Sequence, residues 1–244
     1  MKIRRLFANT LRILLQLKHD PRTIALMIIA PCFLMTILKF VYYYQEKTFQ
    51  QISISLLGVF PMLVMFLITS VTTLRERTSG TLERLMVSPI SKLEFIGGYA
   101  IAFGIASAIQ AVVVTTYAIG PLGLEILGSQ LSLIWIAILD ALLGLAIGLF
   151  VSSLAQTEFQ AIQFLPVVLL PQLLLSGLLV PRDQMPRLLE FISNFLPLSY
   201  AVDATKSVAS NSGSILNDSL ICIGFIFALL VRSEEHTTEL QSHS

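Results

Sequence analysis

The strongest constraint on this chain is a series of long apolar segments separated by short polar ones. A helix needs roughly 20 apolar residues to cross a bilayer core, and five segments of about this length lie at 23–44, 52–74, 95–119, 131–154 and 161–180. Charged residues make up 13% of the sequence, against roughly 25% in an ordinary soluble domain. Because a backbone in lipid must satisfy its own hydrogen bonds, these segments predict transmembrane helices. We therefore expect an all-α, polytopic membrane protein.

A sixth apolar segment at 220–231 is shorter than a bilayer crossing requires. It passes abruptly into RSEEHTTELQSHS, which resembles the in-frame translation of a sequencing-adapter oligonucleotide. We therefore expect six transmembrane helices with a truncated sixth, a transmembrane domain over 23–231 and a non-native tail over 232–244. His236 and His243 belong to that tail, so they do not indicate a metal site, and none is expected.

The N-terminal segment 1–22 has the pattern of an amphipathic helix. Apolar side chains recur at helical spacing, and the polar side chains on the opposite side are Arg5, Asn9, Arg12 and Gln16. A basic polar face opposite an apolar one suits the headgroup layer of a membrane. The pattern favours a cytoplasmic interfacial helix, with a helix packed on another soluble domain as the alternative. Asp20 and Pro21 then provide the N-cap and first position of the next helix.

The polar segment 180–217 contains one amphipathic stretch at 187–196. Its apolar side chains fall on one side of a helix, and they are Leu188, Leu189, Ile192, Phe195 and Leu196. The stretch is too short to cross a membrane. We predict a helical hairpin that is re-entrant or lies on the surface.

The distribution of Lys and Arg predicts the orientation. With a cytoplasmic N-terminus, ten basic residues before the tail lie inside and five lie near the outer side. Basic residues concentrate on the cytoplasmic side of membrane proteins, so this topology is favoured. It makes the loop 73–94 cytoplasmic and the segment 180–217 external.

The loop 73–94 is the one place between the two ends where charges cluster. A short helix is expected to open at Gly80, with Glu83 in its first turn, where a negative charge is favourable. Ser91 and Glu94 form a capping box that starts the third transmembrane helix. The pattern indicates a small amphipathic helix on the membrane surface. On the residues alone, a loop that only connects two helices is an equal alternative.

Asp140 lies inside the fourth apolar segment, where an ionisable group is costly and tends to face a bundle interior or a cavity. Gly144 and Gly148 follow at four-residue intervals, so the three residues share a helix face that permits close packing. We expect this face to meet another helix. Asp140 is our intramembrane polar candidate: it either contacts a cation or proton in a translocation path, or is a buried carboxyl without that role.

The loop and its flanks read LRERTSGTLERLMVSPISKLEFIGGY over 74–99. Together with LKHDPRT at 17–23, LVPRDQMP at 179–186 and LPLSYAVDA at 196–204, this stretch resembles the membrane subunits of type-2 ABC exporters, the permeases of drug and antibiotic export. The resemblance covers nearly all of the chain before the tail and implies that 23–231 is a permease domain. In that family six transmembrane helices form half of a channel, two copies pair, and a cytoplasmic coupling helix of each fits a cleft in a separate ATPase subunit.

The resemblance implies that the charged loop forms or supports the contact with the ATPase. The residues concerned are Glu76, Arg77, Gly80, Thr81, Glu83 and Arg84. The implied partners are an ABC ATPase subunit, a second copy of the permease or a related subunit, and the lipid bilayer, with no nucleic acid. No G-x-x-x-x-G-K-[ST] motif occurs in the sequence, so we expect no catalytic residues and no cofactor in this chain, with ATP and Mg bound by the partner.

The function so implied is export across the plasma membrane by alternating access, driven by ATP hydrolysis in the partner. An ATP-independent secondary transporter or channel is the alternative, and it would favour paired intramembrane charges or inverted repeats. Asp140 alone, with no visible repeat, argues against it. A membrane-embedded enzyme would need polar groups converging at one depth, and His19 is the only histidine before the tail. No pattern in the sequence specifies the substrate.

Overall fold

The computed structural model describes residues 3–78, 92–155, 157–211 and 215–242. Over these residues the chain forms nine α-helices and a short 3-10 turn at Arg182–Gln184. The helices are α1 Ile3–Lys18, α2 Pro21–Val41, α3 Glu46–Thr78, α4 Lys92–Ile119, α5 Gln130–Leu154, α6 Glu158–Leu175, α7 Arg187–Ser193, α8 Pro197–Ala209 and α9 Ile215–Ser242. The expected all-α architecture is confirmed.

Five helices, α2 to α6, are long and apolar enough to cross a membrane. They coincide with the five predicted segments, although α3 begins and ends several residues outside the predicted 52–74. Helix α9 contains a shorter apolar part at Leu216–Leu230. The described residues therefore contain five full-length candidate membrane spans and a shorter sixth apolar helix, as in a multi-pass membrane protein.

Helices α3 and α5 form the centre of the bundle. In each, 72% of the most apolar window is buried, against 17% for α2 and α6. Gly144 lies directly against the backbone of Met62, and a Cβ atom at Gly148 would lie 2.9 Å from the carbonyl oxygen of Phe66. Because no side chain intervenes, the two helix backbones are in contact. The predicted packing face of α5 is thus confirmed, and α3 is its partner.

Helices α2 and α6 lie at the periphery. Large apolar side chains on both helices are exposed, among them Phe33 (63%) on α2 and Val167 (68%) on α6. Pro166 and Pro171 lie inside α6, and each removes a backbone donor from the helix. The exposed faces of the two helices are available to lipid or to another subunit.

The predicted hairpin is formed by α7 and α8. Leu188 and Phe191 of α7 are exposed, whereas Ala201, Val202 and Thr205 of α8 are buried. Helix α8 packs on α3, α5 and α9. The hairpin therefore contacts the bundle through α8, and its external, re-entrant or surface placement stays a prediction.

The first turn of α3 is fastened to the connection between α4 and α5. The side chain of Gln50 donates from Nε2 to the carbonyl oxygen of Gly123 at 3.0 Å and accepts at Oε1 from the backbone N–H of Glu125 at 2.9 Å. Gly123 has a φ of +68°, a conformation that glycine adopts without strain. Two backbone groups of the connection therefore bond to one side chain of α3, which holds this end of the helix in place.

Candidate functional site

Glu76, near the end of α3, is the one predicted coupling residue whose side chain the structure describes. The side chains of the other predicted coupling residues lie outside the described part of the chain. These residues are Arg77, Gly80, Thr81, Glu83 and Arg84. Their part in an ATPase contact stays a prediction, as does the capping box that begins at Ser91. What the structure describes is the two flanks of segment 79–91.

The carboxylate of Glu76 turns into the protein. The residue is 6% exposed. Arg12 of α1 donates from Nη1 to Oε1 at 2.9 Å, and the hydroxyl of Tyr99 of α4 donates to Oε2 at 2.6 Å. Hydrogen bonds to an ionised acceptor are about twice as strong as neutral ones. One carboxylate therefore joins α1, α3 and α4.

Asn9 adds a second link between α1 and α4. Its Nδ2 donates to the backbone carbonyls of Glu94 and Phe95 at 3.3 and 3.1 Å. Its Oδ1 accepts from Nε of Arg12 at 3.3 Å, which orients the guanidinium. A side chain at Gly98 would collide with Asn9, so glycine is needed at that position for the close approach. We call Asn9, Arg12, Glu76 and Tyr99 the flank network, because it lies at both flanks of segment 79–91.

The structure differs from the sequence prediction in the face that α1 turns to the protein. Asn9 and Arg12, predicted on the headgroup side, contact α4 and α3 instead. Four of the exposed side chains form an apolar stripe, and they are Ile3, Phe7, Leu11 and Leu15. Asn9 can be buried here because both ends of its carboxamide are hydrogen-bonded. Asn9 and Arg12 are three residues apart and share a helix face. This spacing is the signal in the sequence that could have indicated a polar contact with the rest of the protein.

A second ion pair joins the end of α3 to the start of α6. Arg75 donates from Nε and Nη2 to the two carboxylate oxygens of Glu158, both at 3.0 Å. Both side chains are exposed. Thr157 caps α6 by accepting from the backbone N–H of Gln160 at 3.1 Å, so this polar segment is a helix start.

Asp20, the predicted N-cap of α2, accepts hydrogen bonds from the hydroxyl and the backbone N–H of Thr23 at 2.7 and 3.2 Å. These two bonds lower the pKa of the Asp20 carboxyl. Pro21 occupies the first helical position, as predicted. The start of the first transmembrane helix is thus set by local chemistry.

Asp140 is fully buried between α5 and α3. Its Oδ2 accepts from the backbone N–H of Met62 at 3.3 Å, and its Oδ1 has no partner among the described residues. Met62 follows Pro61, which carries no N–H and interrupts the hydrogen-bond ladder of α3. Asp140 therefore fastens α5 to α3 at the proline, and it does not line the cavity found nearby.

At the hairpin, Arg182 gathers several partners. It donates to the hydroxyl of Ser193 at 2.9 Å and to Asp203 and Asn194, and its guanidinium lies 5.5 Å from the ring centroid of Tyr200. Lys206 on the same side donates to the carbonyl oxygen of Gly177, and burial lowers the pKa of its ammonium group. These bonds fix α7 and α8 relative to the end of α6.

Within the described ranges no group of three or more His, Cys, Asp or Glu side chains is placed to hold a metal ion. The charged side chains of the flank network are occupied with one another across three helices. The arrangement is that of a structural junction at the end of a helix bundle.

Comparison with known proteins gives a consistent result. The ABC-2 type transporter family matches residues 4–209. The chain is 29% identical over 161 residues to the "Probable multidrug ABC transporter permease YbhR" of Escherichia coli (strain K12), covering 66% of this chain and 44% of the relative. It is 26% identical over 157 residues to the "Linearmycin resistance permease protein LnrN" of Bacillus subtilis (strain 168), covering 64% of this chain and 40% of the relative. The chain thus spans less than half the length of these relatives.

Proposed function

Because the chain belongs to the ABC-2 type transporter family, we propose that it is the membrane-spanning permease subunit of an ATP-driven exporter. A separate ATPase subunit binds ATP and Mg and hydrolyses the nucleotide. The loop 73–94 receives the resulting motion on the cytoplasmic side. The transmembrane helices then re-pack by alternating access, and substrate leaves across the plasma membrane.

The flank network is the observation that carries this proposal. Glu76 lies just before segment 79–91 and Tyr99 just after it, and both are bonded to each other and, through Arg12, to α1. A force applied to the segment therefore reaches α1, α3 and α4 as one unit. A loop that only connects two helices has no need of a buried, charge-assisted junction at both flanks.

Glu76 has a supporting part in this proposal. Its carboxylate faces α1 and α4, so it holds the segment from behind. The direct contact with the ATPase is assigned to Arg77, Gly80, Thr81, Glu83 and Arg84. Asp140 bonds to the backbone of α3, which supports a positioning role in the bundle and gives no support to substrate contact.

Orientation and assembly complete the proposal. The excess of basic residues on the loop side supports a cytoplasmic N-terminus. The exposed apolar faces of α2 and α6 leave room for lipid and for a second permease copy, either identical or related. The names of the relatives point to drug-like compounds as the first substrates to try.

The test is reconstitution of the chain with its ATPase subunit in proteoliposomes. ATP turnover and its stimulation are measured across a panel of drug-like compounds for wild type and for Glu83→Lys. We expect the variant to insert normally and to lose the stimulation. Glu125→Lys, the same change in the connection between α4 and α5, is the matched control and should keep it.

Two outcomes would contradict the proposal. Unchanged stimulation in Glu83→Lys would exclude the loop as the point of coupling. Substrate movement across vesicles that contain the chain without any ATPase subunit would favour a secondary transporter or channel.

A further inference from the structure

A small cavity lies between α3, α4, α5 and α8, beside the proline of α3. It has about 10 Å³ of free volume, close to the space that one water molecule requires. Residues from all four helices line it, including Leu57 and Pro61 of α3, Gln110 and Thr115 of α4, and Thr205 of α8. The cavity is therefore at the level where α3 loses its regular hydrogen bonds.

Gln110 brings an unsatisfied polar group to this cavity. The residue is 1% exposed, and neither Nε2 nor Oε1 of its carboxamide has a hydrogen-bond partner among the described residues. A carboxamide offers two donors and an accepting oxygen. Buried polar side chains in proteins are almost always paired, with protein or with ordered water. We therefore expect the carboxamide of Gln110 to have a hydrogen-bond partner that fits the cavity.

The proline removes the regular helical donor of a second polar group. In a regular helix the carbonyl of Leu57 would accept from the N–H of residue 61, but Pro61 has none. Thr205 is already hydrogen-bonded, because its hydroxyl donates to the carbonyl oxygen of Ala201 at 2.8 Å, but its oxygen can still accept a further hydrogen bond. A Cβ atom at Gly58 would lie 2.5 Å from that same oxygen, so α3 and α8 approach closely beside the cavity.

We propose that this cavity is a binding site for a single ordered water molecule. The water accepts from Nε2 of Gln110 and donates to the Leu57 carbonyl and to an oxygen of Thr205 or Gln110. A polar site of this size with two to four partners meets the requirements for a buried water. The water gives the Leu57 carbonyl the hydrogen bond that Pro61 cannot donate. Because a water can reorient, α3 can bend at this level while that carbonyl stays hydrogen-bonded.

The test is hydroxyl-radical footprinting by X-ray radiolysis on the chain in lipid nanodiscs. Radicals formed from a bound water oxidise the side chains next to it, so Leu57 and Phe60 should be modified in the wild type although both are buried. Gln110→Met keeps the size of the side chain and removes its polar atoms, so modification should fall several-fold. Gln172→Met is the matched control: Gln172 is a buried glutamine of α6 outside the cavity lining, and its replacement should leave the pattern unchanged.

A second variant covers the case in which Gln110→Met does not fold. Pro61→Ala restores an N–H for the Leu57 carbonyl, and the same modification should fall. The proposal would be overturned if Leu57 and Phe60 were oxidised no more than the background level in the wild type. It would also be overturned if a folded Gln110→Met or Pro61→Ala variant were oxidised as strongly as the wild type. The wild-type measurement alone decides whether water is present, and it does not depend on the proposed exporter function.

Discussion

Two buried carboxylates in this protein are used in different ways. Glu76, at the flank of segment 79–91, receives an arginine and a tyrosine hydroxyl at 2.9 and 2.6 Å. Asp140, in the middle of the bundle, receives one backbone N–H at 3.3 Å, and its second oxygen has no partner in the described part of the chain. The first joins helices by charge, and the second marks a place where helices are joined by close packing.

The difference follows from what each location provides. The end of a helix bundle can bring long polar side chains from several helices to one point, whereas the centre of α3 and α5 has room only for glycine between the backbones. Changes of charge should therefore be most damaging in the flank network. Changes of size should be most damaging between α3 and α5.

The largest effect is expected from Gly144→Val. Any side chain at this position collides with the backbone of Met62, which cannot move as a flexible side chain could. Overpacking a core typically costs about 1–3 kcal/mol and can cost more, and we expect this variant to exceed that range. Thermal unfolding in nanodiscs measures it. Gly224→Val, where a Cβ atom meets nothing within 4 Å, is the control, and equal melting temperatures for the two variants would contradict the backbone contact.

Arg12→Met should come next. It removes the charged donor from the buried carboxylate of Glu76, and a hydrogen bond to a charged group contributes roughly 1.5–3 kcal/mol. The measurement is the melting temperature together with coupling to the ATPase. Arg4→Met, at an exposed position of the same helix, should change neither. A melting temperature for Arg12→Met equal to that of Arg4→Met would show that the ion pair contributes nothing.

A matched pair of substitutions tests the comparison directly. Glu76→Gln removes the charge that Arg12 and Tyr99 bind, and hydrogen bonds to charged groups contribute roughly 1.5–3 kcal/mol. Asp140→Asn keeps an oxygen that can accept from Met62, so its cost should stay below about 1 kcal/mol, the net worth of a typical neutral hydrogen bond. The reverse order of melting temperatures would refute the distinction between the two carboxylates.

The smallest effect is expected from Arg75→Gln. Its ion pair with Glu158 is well aligned but exposed on both sides, and such pairs contribute about 0–1 kcal/mol and weaken with salt. The melting temperature should change little, and the residual difference should vanish at high ionic strength. A loss as large as that of Arg12→Met would mean that the pair is shielded from solvent in the assembled protein.

The parts of the fold that sequence reasoning predicted are those governed by local rules. The five long helices follow from length and apolarity, the start of α2 from Asp20 and Pro21, and the α5 packing face from Gly144 and Gly148. The flank network depends on contacts between residues 64 and 23 positions apart. The hydrophobic periodicity of a single helix carries no information about contacts between residues so far apart in the sequence.

The same limit explains the helix faces that were not anticipated. The apolar stripe of α1 is exposed, and the hydrophobic pattern of a helix in a membrane does not distinguish a lipid-facing side from a protein-facing one. The burial of α8 depends on α3, α5 and α9 meeting around it. Only the assembled bundle determines either outcome.

The length of α3 has a mechanical consequence. Its 33 residues extend over about 50 Å at 1.5 Å per residue, well beyond a hydrocarbon core of about 30 Å. Gln50 fixes one end of this helix and the flank network fixes the other. Between them, Pro61 interrupts the backbone hydrogen bonds of the helix. A helix that is held at one end and displaced at the other bends most easily where its hydrogen bonds are interrupted, so we expect displacement of the cytoplasmic end of α3 to change the helix angle at Pro61.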